Sequence, residues 1–169
     1  MSLSLYDVTI PAMTLGLTNL AAILDKASAH ADAKKVDPKA IADTRLIVDM
    51  LPLKRQVQIA CDTAKGAAGR LAGIEIPKHE DSEANLADLK GRITATVAFL
   101  ATIKPEQTVG AETREIVLQF PSSTMKFTGL NYVTKFVLPN FYFHMSVAYA
   151  LLRKNGIELG KGDYLGAIQ

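Results

Sequence analysis

The sequence predicts a mainly α-helical fold: one domain over residues 1–169, built as a four-helix bundle with a small β-hairpin inserted before the last helix. Four long segments repeat apolar residues at alternating steps of three and four, which places them on one helical face. Short or crossover connections join the segments, as in known bundles. Hydrophobic residues make up 49% and charged residues 21% of the 169 residues, which is the balance of a globular domain.

The first helix is predicted from about residue 5 to residue 33. Its apolar face consists of Ile10, Met13, Leu17, Leu20, Leu24 and Ala27. Pro11 lies inside this pattern and is expected either to start the regular helix or to kink it. Asp37 and Pro38 form a helix-start signal, so a short helix is predicted from there to about Val48.

The second bundle helix is predicted to begin after Pro52 and to end at Gly73. Its apolar face consists of Leu53, Val57, Ala60, Ala64, Ala67 and Leu71. The small side chains on this face favour close approach of a neighbouring helix. The third helix is predicted to start at residues 81–83 and to stop before Pro105, because the residue before a proline disfavours helical geometry.

A change of period predicts the hairpin. Residues 115–120 and 124–127 are rich in β-prone side chains, and residues 121–123 resemble a turn.

The last helix is then predicted over residues 129–155, with one stripe formed by Leu130, Val133, Val137, Asn140, His144, Ala148 and Leu151. Further apolar residues, Phe143 among them, widen the stripe and predict a helix buried on most sides. Pro139 is expected to kink this helix or to free a carbonyl one turn earlier. The glycine-rich tail shows no clear regular structure, but its apolar residues predict packing on the bundle.

Composition excludes several classes of function. The formal net charge is +2, and no basic run is interleaved with aromatic residues, so we expect no nucleic-acid partner. No stretch approaches about 18 uninterrupted apolar residues, and the N-terminus lacks the basic region of a signal peptide, so no membrane span is predicted. Cys61 is the single cysteine, which rules out an internal disulfide and fits a reducing compartment. The predicted localisation is therefore cytoplasmic.

Asn140 and His144 stand out because they are polar residues on an apolar stripe. They are four residues apart and project from the same helical face. Burial without partners would cost a few kcal/mol, so partners are expected. Two interpretations remain open. His144 is either a hydrogen-bonded core histidine, or a ligand or acid–base residue in a pocket between helices, where bundles build their sites.

Gln58 and Asp62 form a second polar pair with the same spacing. They lie on a face that adjoins the apolar face of the second bundle helix. Asp62 is either a plain surface carboxylate or part of the same pocket. His30 and His79 lie among charged residues and are expected to be solvated, and Cys61 is expected to be a small buried side chain. No Glu-x-x-His spacing occurs, which argues against a di-iron site.

Three segments carry a resemblance to a known family: residues 138–156 with the letters LPNFYFH near their start, residues 52–58, and residues 161–166. They resemble an uncharacterised bacterial family of unknown function (DUF1993-like) placed near the DinB/YfiT-like four-helix bundles. Many of those bundles bind a divalent metal through three histidines. Their last helix carries two histidines four apart and ends in Arg-x-x-Gly, which Arg153 and Gly156 match here.

The resemblance places the second histidine at His144, the first at Asn140 and the third near Gln58. One histidine of three is thus kept, and amides stand at the other positions. Amide oxygens are weak ligands for zinc, nickel or iron, so we expect no resident metal, with His144 as the single candidate ligand. Asp62 would be the one charged substitute close by.

Two functions follow from different classes. The first is a non-enzymatic cytoplasmic bundle, a homodimer, that binds a small molecule in the polar pocket or serves in a stress response. The alternative is a divalent-metal-dependent enzyme, of the thiol transferase or hydrolase type, that uses His144. A metal-free general base at His144 is a third hypothesis, which needs a substrate cleft at the imidazole ring.

Overall fold

The computed structural model describes residues 3–167 and shows a helical bundle with a two-stranded hairpin. Three of the bundle helices are continuous, and the fourth is assembled from three consecutive segments. The helices are α1 (Leu5–Lys34), α2 (Pro38–Ala42), α3 (Leu53–Ala72), α4 (Leu86–Leu100), α5 (Gly129–Tyr132), a π-helical turn (Val133–Val137), α6 (Leu138–Lys154) and α7 (Lys161–Leu165). Helix α3 packs against α4 on one side and α6 on the other, and α1 closes the bundle. The predicted fold class is therefore confirmed.

Helix α1 begins at a capping box, in which the Ser4 hydroxyl accepts from the Asp7 backbone N–H and the Asp7 carboxylate accepts from Ser4 N–H. Every residue of its predicted apolar face is buried. Pro11 lies inside the helix, and the helix continues through it. By length and composition alone α1 could cross a membrane. Its buried side chains instead belong to the bundle core, and the core helix of a soluble protein has the same composition.

The predicted apolar face of α3 is fully buried, and alanines dominate it. Small side chains there let α4 and α6 approach closely. Arg114 caps the C-terminal end of α3. Its guanidinium donates to the backbone oxygens of Arg70 at 3.1 Å and Leu71 at 2.6 Å. These contacts satisfy carbonyls that lack partners inside the helix.

Two predicted helix boundaries are wrong. The short helix after Asp37 ends at Ala42 instead of about Val48, because the following loop is tied elsewhere: the Lys154 ammonium donates to the backbone oxygens of Arg45 and Leu46, both at 3.0 Å. Helix α4 begins after Asn85, not at residues 81–83. The Asn85 side chain accepts from the Asp88 N–H at 3.0 Å, which makes it the N-cap.

The predicted hairpin is present as β1 (Glu115–Phe120) and β2 (Ser123–Thr128). The strands are antiparallel, with Glu115 opposite Thr128 and Phe120 opposite Ser123. Two short 3₁₀ turns, Pro105–Thr108 and Ala111–Thr113, lead from α4 into the hairpin. The hairpin joins the bundle where Phe127 contacts Tyr132 and Phe136 through tilted aromatic pairs.

The last bundle helix is disturbed before Pro139, as predicted. Pro139 has no N–H to donate to the carbonyl four residues earlier, and the turn Val133–Val137 widens into a π-helix. The prediction of burial on most sides is wrong, since Leu130 is 50% and Phe143 54% exposed. Tyr142 is also exposed, so one face of α6 is open to solvent.

The C-terminal tail packs on the bundle as predicted, but it contains a helix that the glycine content concealed. Helix α7 lies against α1, where the Asn19 side chain donates to Tyr164 O at 3.1 Å and Lys26 pairs with Asp163 at 2.6 Å. The Asp163 carboxylate also accepts from Gly160 N–H at 2.7 Å, which caps the first turn.

Candidate functional site

His144 lies in the interface between α3 and α6, where Gln56 is its partner. The distance from His144 Nδ1 to Gln56 Oε1 is 2.7 Å. The residue is 8% exposed, and desolvation by this burial lowers the pKa of its imidazole. The other end of the Gln56 amide donates to Leu51 O at 2.9 Å. His144 is thus a buried, neutral imidazole held by a side chain from the first turn of α3.

Asn140 lies one turn earlier on α6 and is held by the same helix. Its Nδ2 donates to the Thr63 hydroxyl at 2.8 Å, and that hydroxyl donates to Ile59 O at 2.7 Å. Asn140 is half-buried. The interface therefore contains two parallel polar pairs, Gln56–His144 and Thr63–Asn140.

Gln58 and Asp62 do not join these pairs. Gln58 is buried, but it faces α4: its Oε1 accepts from Arg55 at 2.7 Å and its Nε2 donates to Glu83 at 2.6 Å. Asp62 pairs with Arg92 at 2.7 Å and with Lys65 at 3.1 Å. The four residues of the predicted pocket are thus divided between two sides of α3.

Arg92 is the centre of the second cluster. Its side chain is 2% exposed and contacts the carboxylates of Asp62, Asp81 at 3.1 Å and Glu83 at 2.9 Å. It also donates to Glu80 O at 3.1 Å. Burial opposes ionisation of Glu83, but the hydrogen bonds from Arg92 and Gln58 outweigh it and lower the pKa of this carboxyl.

These contacts hold down the connection between α3 and α4, residues 74–84, which we call the strap. Arg55 also pairs with Asp81, and the Lys65 ammonium donates to Pro77 O at 3.0 Å. The strap thus lies across α3 and α4 through ion pairs and backbone contacts. The carboxylates of Asp81 and Glu83 bind arginines of α3 and α4, so they do not cap the first turn of α4, where Asn85 is the N-cap.

The remaining candidates are Cys61, His79 and His30. Cys61 is fully buried, as predicted, and desolvation raises the pKa of its thiol to about 12, so it is not a reactive nucleophile. The expectation that His79 is solvated is wrong: it is half-buried in the strap, its Nδ1 is buried without a partner among residues 3–167, and burial lowers its pKa. His30 lines an open cleft of about 680 Å³ with Lys26, Glu158 and Asp163, away from His144.

The residues at the family's metal positions do not fit a divalent metal. His144 brings one imidazole nitrogen, Gln58 Oε1 already accepts from Arg55, and Asn140 offers only a neutral amide oxygen. Among residues 3–167, no group of three or more histidine, cysteine, aspartate or glutamate side chains is arranged to hold a metal ion. Soft or borderline metals need imidazole or thiolate ligands, which this set lacks.

Sequence reasoning missed Gln56 and Arg92. Gln56 follows Leu53 by three residues and precedes Ala60 by four, so it lies on the buried face of α3. That position was a usable signal for a partner of His144. Arg92 lies next to Ile93 on the predicted third helix, and nothing local distinguishes it from a surface arginine. Its burial depends on the strap, which brings the acidic partners.

Comparison with known proteins identifies the family. The model of a domain of unknown function, DUF1993, matches residues 5–165. A crystal structure of a DinB family member protein from Shewanella denitrificans is 43% identical, with a TM-score of 0.89, and the match covers 97% of this chain and 93% of that chain. No significantly similar protein is found among curated proteins. The chain therefore belongs to the DUF1993 family of DinB-like helical bundles.

Proposed function

We propose that this protein is a non-enzymatic, cytoplasmic bundle that binds a small molecule without a resident metal. The observation that carries the proposal is the hydrogen bonding at the three family ligand positions. His144 is paired with Gln56, Asn140 with Thr63, and Gln58 with Arg55 and Glu83. Gln58 Oε1 would have to leave Arg55 to reach a metal, and the other two positions offer only one neutral imidazole and one amide oxygen, which are a weak ligand set for zinc, nickel or iron.

The proposed surface for the ligand is the outer edge of the α3–α6 interface. Asn140 is half-buried there, and Phe143 is 54% exposed beside His144. Small-molecule sites combine aromatic side chains with a few polar groups that fix the orientation of the ligand, and this edge offers both. A role in stress response, the proposed homodimer, and the absence of nucleic-acid and membrane partners stay predictions.

Metal analysis of protein purified without chelator tests the proposal. We expect substoichiometric zinc, nickel and iron, and no rise in melting temperature when each metal is added. The His144→Ala variant is the matched control, and its metal content should equal that of the wild type. One tightly held metal per chain that is lost in His144→Ala would overturn the proposal.

That contrary result would favour the alternative, a divalent-metal-dependent enzyme of the thiol transferase or hydrolase type. One observation supports it: the imidazole of His144 is oriented through Nδ1 by a side-chain oxygen, as metal-binding histidines usually are. The alternative is the weaker one because His144 has no second imidazole, thiolate or free carboxylate at the other family ligand positions.

A further inference from the structure

The hydrogen bonds of the α3–α6 interface determine which ring nitrogen of His144 carries its proton. Leu51 O can only accept, so the Gln56 atom that faces it is the amide nitrogen, at 2.9 Å. The Gln56 oxygen therefore faces His144, at 2.7 Å from Nδ1. An amide oxygen cannot donate, so Nδ1 of the neutral imidazole bears the hydrogen and Nε2 keeps a lone pair.

The same reasoning orients Asn140. The Thr63 hydroxyl gives its one hydrogen to Ile59 O at 2.7 Å, so it can only accept from Asn140. Asn140 Nδ2 is the atom at 2.8 Å from Thr63, which leaves Oδ1 as the outer atom of the amide. Both pairs thus present an acceptor from α6, and the two acceptors lie one helical turn apart.

Neither acceptor is completely enclosed. Over residues 3–167, the buried side-chain nitrogen and oxygen atoms without a hydrogen-bond partner are His79 Nδ1 and Arg92 Nε. Nε2 of His144 and Oδ1 of Asn140 are not among these atoms and have no protein partner within those residues, so each keeps some contact with solvent. Phe143 lies beside the imidazole, with its ring perpendicular to it at a centroid distance of 5.1 Å.

We propose that Asn140 Oδ1, His144 Nε2 and the ring of Phe143 form a binding site for an organic cation that carries N–H donors, an alkylammonium or a guanidinium group. This inference rests on the proposed function and names its ligand class. Two acceptors match a group with several N–H donors, and an aromatic face attracts a cation. An anion would meet two lone pairs and the negative face of a ring, and it would be repelled.

The first test measures the tautomer in the protein without ligand. Nitrogen NMR of the histidine rings, with the His144 signals assigned through His144→Gln, reports which nitrogen bears hydrogen. We expect hydrogen on Nδ1 and a lone pair on Nε2. Hydrogen on Nε2 would overturn the inference, whatever metal analysis finds, because the acceptor would then be absent.

The second test is a titration with n-butylammonium, followed through the NMR signals of His144 and Phe143. The matched control ligand is butyltrimethylammonium, which has the same charge and chain but no N–H. We expect the primary amine to bind and the control to bind at least about fivefold more weakly, the effect of one lost hydrogen bond. Equal binding of both cations, or no binding of either by metal-free protein, would contradict the inference while leaving the metal-free function intact.

Variants locate the site. Asn140→Leu removes one acceptor, and Gln56→Met removes the group that holds the tautomer; both should weaken n-butylammonium binding about fivefold or more. Phe143→Leu keeps an apolar side chain but removes the π face, and it should weaken both cations alike. Unchanged affinity in folded Asn140→Leu protein would place the cation elsewhere and overturn the site. If Asn140→Leu does not fold, the tautomer measurement on wild-type protein still decides.

Discussion

Arg92 is one cation that binds three carboxylates and a backbone oxygen across two helices and a loop. Its partners differ in exposure: the side chains of Asp62 and Asp81 are 42% and 44% exposed, whereas Glu83 is 9% exposed. Without Arg92, the two aspartates would rehydrate, but Glu83 would remain a nearly buried charge. We therefore expect most of the stability lost on removing Arg92 to come from Glu83.

Arg92→Met should lower the free energy of unfolding by about 3 kcal/mol, because removal of one partner leaves an uncompensated buried charge. Lys90→Met is the matched control on the same helix. Lys90 pairs with Asp25 at 2.6 Å, with side chains 44% and 57% exposed, so its loss should cost under about 1 kcal/mol. Urea unfolding monitored by circular dichroism measures both. Equal stability of the two variants would show that the Arg92 cluster is only a solvated surface network.

The choice between Gln56 and Gln58 shows what residue-level reasoning from sequence can reach. Both glutamines are buried and both lie in the first turns of α3. Their positions differ by two residues, which turns them to different sides of the helix. The family resemblance pointed near Gln58, but helix geometry relative to α6 makes Gln56 the partner of His144. An error of two residues in placing the family's third ligand position was enough to select Gln58, which lies on another side of α3, in place of Gln56, which contacts α6.

The strap contains two groups, His79 and Glu83, whose pKa values are lowered by folding. Burial, with repulsion from Lys65 and Arg92, lowers the pKa of His79, so the folded protein binds this proton less tightly than the unfolded chain. That contribution to stability is present above the ordinary histidine pKa of about 6.5 and is lost as pH falls below it. Glu83 has a lowered pKa as well, so its contribution is present above about pH 4.3 and is lost as pH falls through the lower folded value.

We therefore expect the free energy of unfolding to decrease in two steps on acidification, one below about pH 6.5 and one below about pH 4.3. His79→Asn should reduce the first step, to which His144 also contributes because burial lowers its pKa as well. Glu83→Gln should reduce the second step while lowering stability at pH 7. Urea unfolding at pH 7, 5.5, 4.5 and 3 measures the steps. An unchanged pH profile in both variants would show that the strap does not control acid stability.

Gly129 joins the hairpin to the last helix and tests how tightly these elements are packed. A Cβ atom at this position would overlap the backbone carbonyl of Ala111, which cannot move as a flexible side chain can. Gly129→Ala should therefore destabilise the protein by about 1–3 kcal/mol or more. Gly91→Ala on α4 is the control: nothing lies within 4 Å of its added Cβ, so a gain of up to about 1 kcal/mol is expected. Thermal unfolding of the pair gives both signs, and a neutral Gly129→Ala would refute the close contact.

The type of a helix or strand could be predicted from the local pattern of residues. The residues at which it begins and ends often could not. The apolar periods of α1 and α3 predicted their buried faces because each face repeats over several turns. The start of α4 depended instead on whether Asp81 and Glu83 would bind backbone N–H groups or distant arginines. Helix α7 was missed because Gly160 and Gly162 masked a five-residue helix that Asp163 caps and α1 supports. Local sequence does not encode such long-range partners.

At the scale of the whole molecule, the bundle was predictable because apolar stripes on four helices have few ways to bury one another. The candidate site was only partly predictable. Asn140 and His144 were visible as polar residues on an apolar stripe, whereas their partners depend on how α6 is rotated against α3. The π-turn before Pro139 contributes to that rotation, since a widened turn changes the direction of the side chains that follow it.

The exposed apolar residues of the assembled fold lead to a prediction about its oligomeric state. Val48 is 86% exposed in the loop before α3, and Leu15 is 48% exposed on α1. Gel filtration with light scattering at micromolar concentration should give twice the mass of one chain. Val48→Glu and Leu15→Glu each place a charge on a different surface. The variant whose measured mass falls to that of a single chain identifies the interface, and the other variant is its control. A wild-type protein that runs as a clean monomer would contradict the homodimer, and a dimer unaffected by either charge would move the interface to the open face of α6 around Tyr142.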